Sequence, residues 1–319
     1  MSNGKNVRSL SDKFITEWNN REMKDFYEAH KDELFIGIRD NYINLYYKCA
    51  SISKIEYQPK FKKFSFEIAN KYLERNNKSG RQKITFEELK SRYDSIKDNI
   101  DKIQTKEKIS QQILAQNINK NKNSKWRIID IEYVKAEQEG RFDIIAISKE
   151  KPYKVALIEL KYGSNAIGGD SGIRKHAEDF LSFIDENRFQ KYLKAEICSI
   201  VNDYRKLASS PLPQIAEEDV CDKPDIYFVI LANNKNNDLV EMTKRYLFDD
   251  AKRASKKNFE KEVKEKKCEE KLKNFNPVFL FSESCLMNNN SQLDINDFTD
   301  FDRYKIEKKS NGSSDLKKF

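Results

Sequence analysis

With 319 residues, 35% of them charged and 38% hydrophobic, the chain has room for one large domain or two modest ones around a sizeable core. The formal charge of +8 favours a polyanionic partner. No apolar run approaches the roughly 20 residues that cross a bilayer, and MSNGKNVRSLSDKF lacks the apolar core of a signal peptide, so no membrane partner is expected. The five cysteines form no CxxC pair and there are only two histidines; this points to reduced thiols in a cytoplasmic protein and leaves zinc sites and Ser-His-Asp triads poorly supplied.

Residues 12–32 read as a helix, with Phe14, Trp18, Phe26 and Tyr27 near helical spacing. From Leu34 to Ile68 the Ile-, Tyr- and Phe-rich segments alternate in part, and Asp40-Asn41 marks a turn, so an antiparallel meander is expected. Its interleaved aromatic and basic residues (Tyr46, Tyr47, Lys48, Lys54, Tyr57, Lys60, Lys62, Lys63) fit a packed sheet with a wet, lysine-rich face better than a substrate-engaging module. The polar stretch Asn76–Gln82 marks a boundary near residue 80. Helices are expected over 85–100 and 106–118, then a strand over 126–134. Beyond the centre of the chain come a helical region over 173–207 broken near Asn187, a strand over 225–232, charged helix over 238–273 and a last core strand over 278–281. These readings divide the chain into an N-terminal module (1–80), a main domain (81–307) and a flexible tail (308–319).

The chemistry concentrates between Gly140 and Phe180. Two apolar runs, Phe142–Ile147 and Val155–Leu160, flank a short polar connection, the pattern of a hairpin. Each run carries an acid, Asp143 and Glu159, and Lys161 shares the face of Glu159 because strand side chains alternate. Folding about Lys151 opposes residues whose numbers sum to 302, which brings Asp143 opposite Glu159, with Cβ atoms about 4.5–5.5 Å apart. Two carboxylates so close raise each other's pKa unless a cation lies between them. Hard oxygen donors of this kind suit Mg²⁺. A buried ion-pair network with Lys161 between the two acids is the structural alternative.

Four of the nine glycines (Gly163, Gly168, Gly169, Gly172) follow at once. Asp170 or Ser171 can cap a helix beginning near Ile173, whose N-terminus favours anions. Arg141, Arg174, Lys175 and His176 are candidate phosphate contacts, although a histidine early in a helix is more often an ordinary surface or core residue.

The order helix, strand, acid-bearing strand, ExK-bearing strand, helix, strand resembles the PD-(D/E)XK nuclease superfamily over about 106–232. The matching residues are Asp143 in RFDIIAI and Glu159-Leu160-Lys161 in ALIELK, with Phe142 where the motif's name has proline. Glu22-Met23-Lys24, Glu88-Leu89-Lys90 and Glu262-Val263-Lys264 also fit ExK, but in helical surroundings where i and i+2 do not share a face.

The resemblance implies an α/β (α+β) fold, a restriction-endonuclease-like mixed sheet flanked by helices, preceded here by the N-terminal helix and antiparallel β-meander. It implies a metal-dependent endonuclease acting on nucleic acid, DNA before RNA, in restriction or defence. Asp143, Glu159 and Lys161 would be catalytic. Mg²⁺, replaceable by Mn²⁺, would be held by Asp143, Glu159, the Leu160 carbonyl and Glu107, the last with Gln111 and Gln112 as the other polar choices on its helix. Double-strand cleavage by such a core needs two active sites and so a homodimer; nicking does not. The same fold without cleavage, a nucleic-acid-binding protein, is the alternative.

Overall fold

The computed structural model describes residues 7–73, 79–135, 140–169, 172–208, 212–233, 238–248, 275–283, 301–310 and 313–319. It is a mixed α/β protein with two sheets.

The first sheet is antiparallel throughout: β1 (Leu34–Ile38), β2 (Tyr42–Tyr47), β3 (Ala50–Gln58), β4 (Lys63–Ala69) and β5 (Arg81–Ile84), paired in chain order. Period-two patterning sets its faces. Along β4, Phe64, Phe66 and Ile68 are buried, whereas Lys63 is exposed and Ser65 and Glu67 are half-buried. Tyr46, Tyr47 and Tyr57 are buried, as a packed sheet requires. The boundary expected near residue 80 falls inside this sheet, because β5 pairs with β4 from Phe66↔Ile84 to Ala69↔Arg81.

The helix expected over 12–32 is two, α1 (Asp12–Asn19) and α2 (Glu22–His30), separated where Arg21 turns extended. Trp18 Nε1 donates to the Leu207 carbonyl at 3.3 Å and anchors α1. After the single turn of α3 (Asn70–Leu73), the helical stretch beginning at Thr85 also divides, into α4 (Phe86–Ser91) and α5 (Tyr93–Ile103). Thr85 and Glu88 cap α4 reciprocally, at 3.1 and 2.7 Å. Next comes α6 (Lys106–Lys120).

The second sheet has seven strands among the described residues, in the order β12-β11-β10-β9-β8-β7-β6. β6 (Trp126–Lys135), β7 (Gly140–Ser148) and β8 (Val155–Tyr162) form an antiparallel meander. β9 (Asp225–Leu231) lies parallel to β8, and β10 (Val278–Ser282) parallel to β9. β11 (Asp302–Lys308) and β12 (Ser314–Lys318) extend the sheet antiparallel. The last residues, expected as a flexible tail, are therefore an edge strand: Ile306 faces Leu316, and both are buried.

Helices cover both faces. Leu114, Ala115 and Ile118 of α6 share one cluster with Ile128, Ile131, Ile144, Ile158 and Leu160. On the other face, α7 (Ile173–Asp185) and α8 (Lys194–Leu207) bring Ala177, Phe180, Ile197 and Val201 against Ile145, Leu157 and Phe228. The break expected near Asn187 is there, with Asn187 at φ 56° and a π-helical turn at Phe189–Leu193 before α8. α9 (Leu239–Phe248) opens the charged helical region; 249–274 lies outside the described residues.

A buried ionic network ties the two sheets together. Asp130, fully buried on β6, accepts from Arg39 at 2.8 Å and from Arg8 at 3.2 Å. Arg8 also pairs with the buried Glu196 of α8 at 3.1 Å, and Lys135 binds the same carboxylate. Arg39 further donates to the Ile131 carbonyl at 2.9 Å and the Tyr46 hydroxyl at 3.0 Å.

Candidate active site at the β7–β8 fork

The hairpin has the register its sequence predicts: Ile147↔Val155, Ala146↔Ala156, Ile145↔Leu157 and Ile144↔Ile158, each pair summing to 302. One step further the pairing stops. Asp143 Oδ2 accepts the Leu160 N–H at 2.9 Å, so a carboxylate stands where a backbone carbonyl would continue the ladder. The Asp143 carbonyl, on the β6 side of β7 where the register skips Glu132, is taken by the Gln111 side-chain amide of α6. Polar side chains thus satisfy backbone groups on both edges of β7, where its pairing with β8 and with β6 lapses.

Around the fork stand four acids and three basic side chains. On β8 the Lys161 ammonium lies 2.7 Å from Glu159 Oε1, as their shared face requires. His176, reaching in from α7, places Nε2 3.1 Å from the same oxygen. Lys108 of α6 lies 3.5 Å from Asp143 Oδ1 and 2.6 Å from Glu132. Glu107, in the first turn of α6, accepts the Tyr162 backbone N–H.

Electrostatics binds these groups into one site. Burial pushes the Glu159 carboxyl up to about 8, with Asp143 and Glu107 adding to the rise and Lys161 opposing it. Burial also raises Glu107; Lys161 pulls it back and Asp143 pushes it further up. Burial and the neighbouring Lys161 charge lower His176 to about 4. Its ring is therefore neutral near pH 7, so its 3.1 Å approach to Glu159 is not an ion pair. For Lys108, burial works against the charge, but Asp143 and Glu132 outweigh it and raise the ammonium above its usual range.

The side chains of Glu159 and Lys161 are only 3% and 6% exposed, whereas Asp143, His176 and Lys108 keep 13%, 15% and 24%. Hard carboxylate oxygens fit Mg²⁺ in donor type, and acids that raise one another are the signature of a place a divalent cation would relieve. They do not converge as a ready cage: among the described residues no three His, Cys, Asp or Glu side chains cluster at ligating range. Lys161, His176 and Lys108 occupy the carboxylates instead.

The other expected phosphate contacts divide. Arg141 is exposed at the start of β7 and near enough to lower His176 further. Arg174 and Lys175 are engaged along α7 itself, with Glu178 at 2.9 Å and with Asp179. The α7 cap position is Gly172, with no side-chain cap; Asp170 and Ser171 lie outside the described residues. In the glycine loop, Gly163 and Gly169 take positive φ of 72° and 81°, and Gly172 is required by packing, because a Cβ there would sit 2.5 Å from the Ile167 carbonyl oxygen.

Lys108 and Glu132 were not foreseen. The signal for Lys108 was its place one residue after Glu107 and three before Gln111, on the helical face turned to the fork. Among the described residues no helix is long and apolar enough to cross a membrane. Comparison of the chain with family models, with curated proteins and with solved structures finds no match.

Proposed function

We propose that the chain is a metal-dependent endonuclease that hydrolyses phosphodiester bonds in nucleic acid, DNA before RNA, in a restriction or defence setting. The observation that carries this reading is the Glu159–Lys161 pair, 2.7 Å apart, beside a fork whose opening is held by Asp143. The element order supports a restriction-endonuclease-like core: α6, the antiparallel β6–β8 meander, helices α7 and α8, then β9 parallel to β8.

Asp143, Glu159 and the Leu160 carbonyl, with Glu107 beside them, are the residues that would hold Mg²⁺ or Mn²⁺. When bound, such an ion lowers the pKa of a water and offsets charge developing on the phosphate. The chain's own groups do the rest. Lys161 orients the attacking water and adds positive charge next to the phosphate. The Leu160 N–H and Lys108 fix Asp143 from two sides, so its carboxylate keeps one orientation. His176, uncharged near neutrality, stands 3.1 Å from Glu159 and packs it against β8. Arg141, exposed at the mouth, contacts the nucleic-acid backbone. A homodimer is needed only for cutting both strands in concert.

The second reading is a nucleic-acid-binding protein whose nuclease fold does not cut. Its support is the burial of Glu159 and Lys161 and the pairing of both acids with side-chain cations. Incubating supercoiled plasmid and single-stranded circles with Mg²⁺, Mn²⁺ or EDTA separates the two. Nicked or linear products in metal and none in EDTA support the endonuclease. Retarded but uncut DNA in every condition supports the binding protein.

A further inference from the structure

Among the described residues no large apolar side chain is more exposed than Phe61, at 60%. It lies in the turn joining β3 to β4, Pro59–Phe61 in 3-10 conformation closed by Lys62 with φ 50°. Three of the four residues from Lys60 to Lys63 are lysine, and the Lys60 and Lys63 ammonium groups each stand 5.7 Å from the Phe61 ring centroid. Arg21 donates to the Lys62 carbonyl at 3.3 Å and so fastens the turn to the start of α2. Core packing gives no reason for this arrangement, since the ring faces water and the like charges around it repel.

Beside the turn is a cleft of about 650 Å³ whose lining includes Arg21, Met23, Lys63, Phe66, Lys83 and Phe86. Phe66 and Phe86 stack with centroids 5.6 Å apart and give it an aromatic wall. Clefts of about 300–1,000 Å³ accept small organic ligands, so a nucleotide fits by size. Two acids also line it. Glu22 is drawn off by Lys90 at 3.0 Å, and Glu87 is exposed. The neighbouring Glu17 is held by Arg21 at 2.8 Å, and Glu67 lies 4.0 Å from Arg81. Among the described residues Lys60, Lys62, Lys63 and Lys83 form no ion pair with a carboxylate.

We propose that this turn and cleft bind single-stranded nucleic acid. An unpaired base stacks on Phe61, the adjoining nucleotide enters the cleft beside Phe86, and Lys60, Lys62, Lys63 and Lys83 carry the phosphates. A single strand is the occupant because only an unpaired base can lay its face on an isolated ring, and exposed aromatics among lysines are the means by which proteins hold single strands. The inference rests on the reading that nucleic acid is the substrate. It adds a contact on β3–β5 of the first sheet, separate from the β7–β8 fork.

Fluorescence anisotropy of a labelled oligothymidylate and of a duplex of equal length, with the full chain in EDTA to prevent cutting, tests it. The wild type should prefer the single strand. Loss of one stacked base corresponds to roughly 5- to 100-fold weaker binding, which is the effect expected of Phe61→Ala and which Phe61→Trp should reverse. Lys63→Gln and Lys83→Gln should each reduce the slope of log affinity against log salt by about 0.7. Wild-type affinity and salt slope in all of these variants would overturn the assignment while leaving the nuclease reading intact. So would a duplex preference, or polyglutamate or anionic vesicles binding as tightly as the oligonucleotide. A wild type that binds neither nucleic acid would remove both.

Discussion

The Leu160 N–H donates to Asp143 Oδ2 at 2.9 Å at the point where β7 and β8 stop pairing. This single bond fixes one acid beside Glu159, whose carboxyl is raised by burial, by Asp143 and by Glu107. Clustered acids of this kind are stabilised by a divalent cation. Mg²⁺ should therefore raise the melting temperature, EDTA should reverse the effect, and Glu159→Gln should abolish it. A metal present at a hundredfold excess over its dissociation constant stabilises by about 2.7 kcal/mol. An unchanged thermal melt across a Mg²⁺ titration would speak against the site.

Asp130, fully buried, joins the two sheets through Arg39 and Arg8 at 2.8 and 3.2 Å. Removing one member of such a buried pair strands the other charge and costs about 3–5 kcal/mol. Urea denaturation of Asp130→Asn should show a loss of that size. A loss within about 0.5 kcal/mol, the range of surface changes, would mean the arginines find other partners.

Glu33 gathers Tyr93 at 2.8 Å, Lys97 at 3.1 Å and His30 at 3.1 Å. Burial raises its carboxyl, but the hydrogen bonds from Tyr93 and Lys97 outweigh it and hold the pKa below 4.5. A folded-state pKa below the unfolded one gives stability that is present above the unfolded value and is lost as pH falls through the folded value. The difference in melting temperature between wild type and Glu33→Gln should be constant near neutrality and shrink as the pH falls below about 4.5. A difference that grew with acid would reverse the sign.

The hairpin register was readable because Phe142–Ile147 and Val155–Leu160 are almost wholly apolar and a short polar connection leaves them little freedom to slip. Charged edge strands were not. Arg81–Ile84 and Ser314–Lys318 pair on one side only and are built largely of polar and charged residues, so their composition is that of a loop. Asp130 was visible as an acid in an apolar strand, but Arg8 and Arg39 lie 122 and 91 residues away, beyond any local pattern. His176 had a surface residue's sequence context. Its contact with Glu159 depends on how α7 lies across β8, and tertiary packing alone decides that.

Mg²⁺-dependent cleavage of labelled DNA by wild type, Glu159→Ala and Lys161→Ala, measured beside DNA binding by the same preparations, tests the nuclease reading most directly. The rate should fall on the order of 10²-fold or more in each variant, with binding largely retained. Variants that cut as fast as the wild type would show that the chemistry, if any, is done elsewhere.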